Sequence, residues 1–335
     1  MIKIFVKYLV FVVLFCYCMN GCKNISQNKA VDLYNIPQNA TLVNNAEYII
    51  VLGDIQEYTN SSVCETYLHR TMGWISAQKQ YGGQINCVLQ VGDITNGNLR
   101  SQWDRFYNST ISTAEEILYV TCTGNHDYDW DSNYKINDRE STHINEYAKF
   151  PLTQENIVEY FETDKIENIV VANTIHNERY DILVLEFGPR AEVVEWANKY
   201  VSVNSDRKFI LMTHEFLTRE GERINTDSYA ERQFRNTTWS SPEIVWQKLI
   251  DNNDNIVCVL CGHNGFSKQL YTKNRVGREV PQILFNLQYQ ENGGDGWVQL
   301  WEFPERSDSV TVKVYNTISY KNHPDSLTFK FRYRY

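Results

Sequence analysis

Five apolar runs of strand length in this chain each end in residues that bind metals or move protons. The ends read Asp54-Ile55-Gln56, Gly92-Asp93, Gly124-Asn125-His126-Asp127, Thr213-His214 and Gly262-His263. Carboxylate, amide oxygen and imidazole are the ligand types that hydrolytic divalent metals take, with positions left open for water and substrate. Asp93 stands centrally in the series, where one carboxylate can bridge two ions. A bridged pair activates water and neutralises charge on phosphoryl oxygens. A lone Asp after a strand is more often a turn or cap residue, and a lone His more often a hydrogen-bonded structural one. Five such ends in series weigh against a purely structural reading.

The elements that must position these residues alternate between strand and helix. Ala46 to Gly53, Ile85 to Gly92 and Leu118 to Gly124 read as strands. Ser61 to Tyr81 and Leu99 to Ile117 read as the helices between them, the first stopped by Gly82-Gly83 and the second carrying Trp103 and Phe106 on one face. Ile169 to Ile175, Tyr180 to Phe187, Lys208 to Thr213 and Ile256 to Cys261 continue the strand series. A helix is expected from Pro189 to about Val201, and another from Ser241-Pro242, a good N-cap and first-turn pair. Tyr128 to Asn168 and Thr218 to Thr238 are polar, irregular insertions, the first suited to a lid or substrate loop. The tail then reads as antiparallel strands at Val280 to Leu287, Trp297 to Phe303, Val310 to Thr317 and Leu327 to Tyr333. Such a pattern predicts an α/β fold of two packed sheets with outer helices.

Composition narrows the function. The 335 residues are 42% hydrophobic and 13% aromatic, ample for a large core. A net charge of -9, with no Lys/Arg run, argues against nucleic-acid binding. It also favours a small phosphate ester over a long polyanion, because local positive charge would have to come from metals. Lys3 and Lys7 precede an apolar stretch from Leu9 to Cys18, too short for a membrane span and typical of an export signal. Met19-Asn20-Gly21-Cys22 is a loose lipobox that would make Cys22 the lipid-attachment residue; an ordinary cleaved signal or an uncleaved anchor are the alternatives. Of the later cysteines, Cys64, Cys87, Cys122, Cys258 and Cys261 are read as mostly free and buried, with room for one disulfide. Cys258 and Cys261 are expected on opposite faces of one strand.

Taken in order, Asp54-x-Gln56, Gly92-Asp93, Gly124-Asn125-His126-Asp127, His214 and Gly262-His263 resemble the calcineurin-like metallophosphoesterase family, from about Tyr48 to Phe266. The resemblance implies a four-layer αββα sandwich of two mixed sheets. It implies two divalent ions (Mn, Mg, Fe or Zn), with Asp54 and Gln56 on the first, Asp93 bridging, and Asn125, His214 and His263 on the second. His126 would act near the leaving group or a phosphoryl oxygen, and Asp127 would orient it. Two departures stand out: the family's first motif is Asp-x-His where this chain has Gln56, and its last is Gly-His-x-His where residue 265 is Gly. Both imidazoles normally given to the first metal are missing, which thins that site. The stretch from Phe285 to Gln290, followed by Gly293 to Trp297, resembles a segment found after the last motif in some bacterial relatives; it either closes over the site or simply joins two strands.

The expected molecule is thus an exported metallophosphoesterase, periplasmic or at the cell surface. Residues 1–21 form the signal, 22–46 a polar tether, 47–303 the catalytic domain, and 304–335 a β-rich C-terminal extension packed on it. It would hydrolyse a phosphomonoester or diester by attack of metal-activated hydroxide at phosphorus. Its substrate would be a phosphorylated small molecule, a lipid headgroup or a glycan, with membrane contact through the lipid. The rival readings are a non-hydrolytic metal-binding protein on the same scaffold and an envelope glycan-binding lipoprotein, the latter suggested by 22 Tyr and 8 Trp. Arg219, Arg223 and Arg232 either reach a phosphate or are solvated loop charges. His69, His143, His176 and His323 match no motif.

Overall fold

Near-continuous apolar runs make the parallel strands β1 (Ala46–Leu52), β2 (Gln84–Gln90) and β3 (Leu118–Thr121), as sheets covered on both faces require. The computed structural model describes residues 37, 41–225, 228–235, 238–324 and 328–334. The export signal, Cys22 and most of the tether lie outside them. No helix among the described residues is long and apolar enough to cross a membrane.

The first half of the second sheet comprises β4 (Ile157–Tyr160), β5 (Ile169–Val171), β6 (Thr174–Ile175), β7 (Glu178–Val184) and β8 (Lys208–Met212). β9 (Ile256–Cys261), β10 (Phe266–Lys273) and β11 (Glu279–Asn286) complete it, in the order β10-β11-β9-β8-β7-β5-β4 with β6 on β7. β7, β8, β9 and β11 run parallel, and antiparallel strands close the edges. β12 (Trp297–Pro304) returns to lie antiparallel beside β1. β13 (Ser309–Asn316), β14 (Lys321–Asn322) and β15 (Thr328–Arg332) extend that first sheet. Both sheets are therefore mixed.

Side-chain alternation assigns the layers. Ile182, Val184, Ile210, Met212, Cys258 and Leu260 point into the core shared with β1, β2 and β12. Their neighbours Leu183, Phe209, Leu211, Val259 and Cys261 face the other way, onto the helices α3 (Ala191–Val203) and α4 (Pro242–Val245). On the opposite side α1 (Glu65–Gln80) and α2 (Arg100–Ala114) cover the first sheet, with Trp103 and Phe106 buried. The layers are helix, sheet, sheet, helix, as expected. Cys258 and Cys261 lie on opposite faces and are free, as are Cys87 and Cys122. Cys64 is disulfide-bonded, in keeping with the room left for one disulfide.

Other local readings change. The expected strand from Ile169 to Ile175 breaks at Ala172, and β6 folds back on β7 through His176 and Asn177, both at positive φ (49° and 65°). Two successive left-handed residues make the tight hairpin turn that matches strand twist. β10 went unrecognised because its outer face is polar and exposed, so no apolar alternation marks it. Ser241 caps α4, accepting from the Ile244 N–H, and α4 runs on through a π turn at Trp246–Ile250.

The two insertions are one structure. The Ile136 N–H donates to the Gln233 carbonyl (3.0 Å), and Arg235 pairs with Asp131 (2.9 Å). Tyr128, Ile136, Phe187, Ala230 and Phe234 bury a small core between them. Arg139 fastens this wall to the body. Its guanidinium donates to the carbonyls of Phe187 (3.1 Å), Gly188 (2.7 Å) and Thr238 (2.8 Å), lies 3.8 Å from the Phe234 ring centre, and faces Glu186 at 3.5 Å. Removing one member of a buried ion pair costs roughly 3–5 kcal/mol. Arg139→Met is therefore expected to lower the urea unfolding free energy by about 3 kcal/mol. Limited proteolysis of the variant should cut first between residues 218 and 240; unchanged stability would show that the wall is held otherwise.

Candidate metal centre

All five motif ends come together at one rim, where the parallel strands of both sheets finish. Backbone geometry there serves close approach. A Cβ on Gly124 would lie 2.2 Å from Asp93 Oδ1, and one on Gly262 would lie 2.4 Å from Asp54 Oδ1. No other residue fits at either place, which is the physical content of the Gly before Asn125 and the Gly before His263. Asp93 and His263 themselves adopt left-handed φ of 49° and 67°. Such conformations cost of order 1–3 kcal/mol and persist where surroundings over-determine them.

Asp93, His214 and His263 present ligand atoms that all lie within 4.8 Å of one another. His214 Nδ1 sits 2.7 Å from the Val91 carbonyl, which can only accept, so Nδ1 carries the proton. That leaves Nε2 pointing at Asp93 Oδ1 (3.2 Å) and at His263 Nδ1 (3.2 Å). Burial works against a charged His214, but Asp93 outweighs it and pushes the imidazole up to about 10. Burial likewise opposes charge on Asp93, yet His214 and His126 hold its carboxyl well below the usual range. Burial, then the charge of His214, pushes His263 down to about 3.

The cluster fits a cation. Asp54, Asp93 and Asp127 are all buried within one network. Beside them the side-chain oxygens of Gln56 and Asn125 are buried without any partner. Buried polar atoms are rarely left so, and a hard divalent ion is what carboxylate and amide oxygens would satisfy.

One expected role looks different in the structure. Asp127 makes no bond to the His126 ring. It accepts from the main-chain N–H groups of Ile94 (3.2 Å), Thr95 (2.8 Å) and Gly124 (2.8 Å), and so clamps the Gly92-Asp93 loop to the Gly124-Asn125 turn. What holds His126 is its own N–H, donated to Asp93 Oδ1 (3.0 Å), and the Trp130 ring set edge-to-face at 4.5 Å. Burial lowers the His126 pKa, so the imidazole is neutral.

The remaining candidates sort by contact. His69, His143 and His176 lie against Glu65, Glu146 and Glu47, and His323 against Trp297, all away from the cluster. Arg223 is tied to Glu243 (2.6 Å) and Gln282, and Arg219 rests on Phe266. Arg232 stacks on Tyr229, whose ring meets that of His263 at 4.2 Å. The Phe285–Gln290 stretch, expected either to close over the site or to join two strands, reaches the rim through two side chains: Asn286 and Gln288 both donate to Asp54 Oδ2, at 2.5 and 3.0 Å. Their signal was available, since Asn286-x-Gln288 ends an apolar strand as the other motifs do. Gln90 was missed. Its amide binds the Gly53 and Gly92 carbonyls and the Thr121 hydroxyl, lashing three strand ends together.

The sequence model of the calcineurin-like phosphoesterases matches residues 48–267, about two thirds of the chain and all five motif ends. This chain belongs to that family. A second similarity is to YvnB, an uncharacterised protein of Bacillus subtilis (strain 168), 25% identical over 307 residues; it covers 83% of this chain and 20% of YvnB. Among solved structures, a 5'-nucleotidase precursor from Thermus thermophilus is 13% identical with a TM-score of 0.43, covering 85% of this chain and 54% of that one. A 5'-nucleotidase from Candida albicans is 12% identical with a TM-score of 0.42, covering 83% and 49%. The chain thus spans a fifth of its curated relative and about half of these solved chains.

Members of this phosphoesterase family bind divalent metals, and loading one here has a proton cost. In the metal-free protein His214 is charged at neutral pH, so an ion on its Nε2 must expel a proton. Binding of Mn²⁺ at the His214 position is expected to release about one proton from that imidazole at pH 7, and to tighten with rising pH until about pH 10. Calorimetry in buffers of different ionisation enthalpy counts that proton; none released would remove His214 from the ligand set. At a hundredfold excess over Kd, Mn²⁺ should also stabilise the fold by about 2.7 kcal/mol.

Proposed function

We propose that this chain hydrolyses a small phosphate ester, using divalent ions held by the strand-end cluster. One observation carries the reading: the Asp93–His214–His263 triad stands beside buried carboxylates and orphaned amide oxygens that a cation would satisfy. In this reading Asp54 and Gln56 would hold a first ion, Asn125, His214 and His263 would hold a second, and Asp93 would serve both. Divalent ions in such a site neutralise phosphoryl charge and provide a water-derived nucleophile at neutral pH.

The chain's own residues complete the chemistry. Neutral His126 hydrogen-bonds the phosphoryl or leaving oxygen, and its position is fixed by its N–H on Asp93 and by Trp130. Arg232, on Tyr229 beside His263, offers positive charge to the ester. Trp130 and the exposed Tyr134 and Tyr229 line the approach with aromatic faces, which suits a compact substrate with an apolar or flat leaving group. The acidic surface works against polymers.

A test uses chromogenic phosphomonoester and phosphodiester with added Mn²⁺. Asp93→Ala and Asn125→Ala are expected to abolish turnover. His126→Ala should lower kcat by 10²- to 10⁴-fold, the usual worth of a proton-transfer group, with metal content intact. Metal-loaded protein inert on both esters would favour the non-hydrolytic rival.

The proposal extends to location: export, with the mature protein held to a membrane by lipid on Cys22. Lys3, Lys7 and the apolar stretch before Cys22 support it. Cys22→Ala is expected to move the protein from the detergent phase to the aqueous phase on detergent partitioning. Equal partitioning of both proteins would end the anchor.

A further inference from the structure

Nitrogen and oxygen are unevenly shared in this cluster. Both motif imidazoles, His214 and His263, converge with Asp93. Among the described residues no imidazole side chain hydrogen-bonds Asp54; its carboxylate takes the His263 main-chain N–H on Oδ1 (3.1 Å) and the amides of Asn286 and Gln288 on Oδ2. The two amides differ in freedom. Asn286 Nδ2 also donates to the His263 carbonyl (3.2 Å), and its Oδ1 accepts the Gln288 N–H (3.0 Å), so its orientation is fixed at both ends. Gln288 is buried, its Nε2 bonds Asp54 (3.0 Å), and its Oε1 has no partner at all. A half-turn of that amide exchanges nitrogen for oxygen in place; it breaks no bond to Oε1 and costs the one to Asp54, which a cation between the two oxygens would replace.

The distance gives that half-turn a purpose. Adjacent oxygen ligands of an octahedral ion with bonds of about 2.1 Å lie about 3.0 Å apart. The Gln288 amide already stands at that separation from Asp54 Oδ2. A second observation explains why no imidazole is needed from residue 265. A Cβ on Gly265 would lie 2.6 Å from the Tyr289 ring, so Tyr289 fills the space a side chain there would use. The two residues after Leu287 thus divide the work: Tyr289 takes the volume and Gln288 offers the ligand.

We propose that Gln288 is a metal ligand, and that with Asp54, Asp93 and Gln56 it makes the first metal position an all-oxygen site selective for hard, octahedral ions such as Mn²⁺ or Mg²⁺ over Zn²⁺. The inference rests on the reading of the cluster as a metal centre. Asn286 is its positioning residue, holding Asp54 towards the ion from behind. Carboxylate and amide oxygens suit such ions, whereas imidazole favours Zn²⁺.

Metal binding, independent of turnover, tests it. The full chain is titrated with Mn²⁺ and with Zn²⁺ by calorimetry, and the Mn²⁺ samples are examined by electron paramagnetic resonance. The wild type is expected to bind one tighter and one weaker Mn²⁺, with a spin-coupled pair at saturation, and to bind Zn²⁺ tightly only once. Gln288→Leu should lose the weaker Mn²⁺ by tenfold or more while keeping the tighter one. Gln288→Glu, which restores an oxygen ligand and adds charge, should strengthen it, and circular dichroism checks that both variants fold. Two Mn²⁺ bound equally well by Gln288→Leu, or a single Mn²⁺ in the wild type unaffected by the substitution, would overturn this role for Gln288 and leave the metal centre standing. No Mn²⁺ bound by any form would overturn both.

Discussion

Three carboxylates that must stay out of water at one end of a double sheet set the terms for everything else in this molecule. Burying an unpaired carboxylate costs several kcal/mol, and each of the three is compensated differently. Asp127 is surrounded by main-chain N–H donors. Asp54 takes one main-chain donor and two amides. Asp93 is left with His214 and the His126 N–H, both of which face the open part of the cluster. The tight glycines, the left-handed backbone at Asp93 and His263, and the lashing of strand ends by Gln90 all follow from bringing those groups so close.

Much of this was legible because it is local. A run such as Ile49 to Leu52 ending in Gly53-Asp54 announces both a strand and its cargo, and five such ends in order announce a family. Ser241-Pro242 announces a helix start, and the spacing of Cys258 and Cys261 announces opposite faces. What was not legible depends on contacts between distant segments. The partner of Asp54 is Asn286, 232 residues away, and no periodicity in either segment records that meeting. Asp127 was assigned to His126 through the family resemblance, whereas its bonds run to the loop after β2 and to Gly124. β10 carries an edge strand's polar face, so its signal is pairing with β11, which sequence alone does not display.

The insertions follow a different logic from the cluster they overlook. The residues of the cluster hang from strand ends buried on both sides, where packing permits little movement. The wall instead owes its shape to a small core of its own, the Ile136–Gln233 and Arg235–Asp131 links, and the buried guanidinium of Arg139. Chemistry and recognition are therefore held by separate sets of interactions. Trp130 and Tyr229 join them: the Trp130 indole N–H donates to the Asn125 carbonyl (2.9 Å) while its ring touches His126, and the Tyr229 ring meets His263 at 4.2 Å. A change of loop sequence away from these two can alter the wall without disturbing the cluster.

The proposed division of the cluster into a nitrogen-bearing and an oxygen-only position also divides its response to acid. His214 must lose a proton before its Nε2 can face an ion, so the position it serves competes with protons throughout the neutral range. Gln56 and Gln288 have no proton to lose. Amides bind divalent ions more weakly than imidazoles bind zinc, but they do so without that competition. Exchanging two imidazoles for two amides thus trades affinity at one position for ligands that do not titrate, and leaves its competition with protons to Asp54, whose carboxyl burial pushes well above the usual range. It leaves Asp93, the carboxylate common to both, as the group through which protonation at one position is felt at the other.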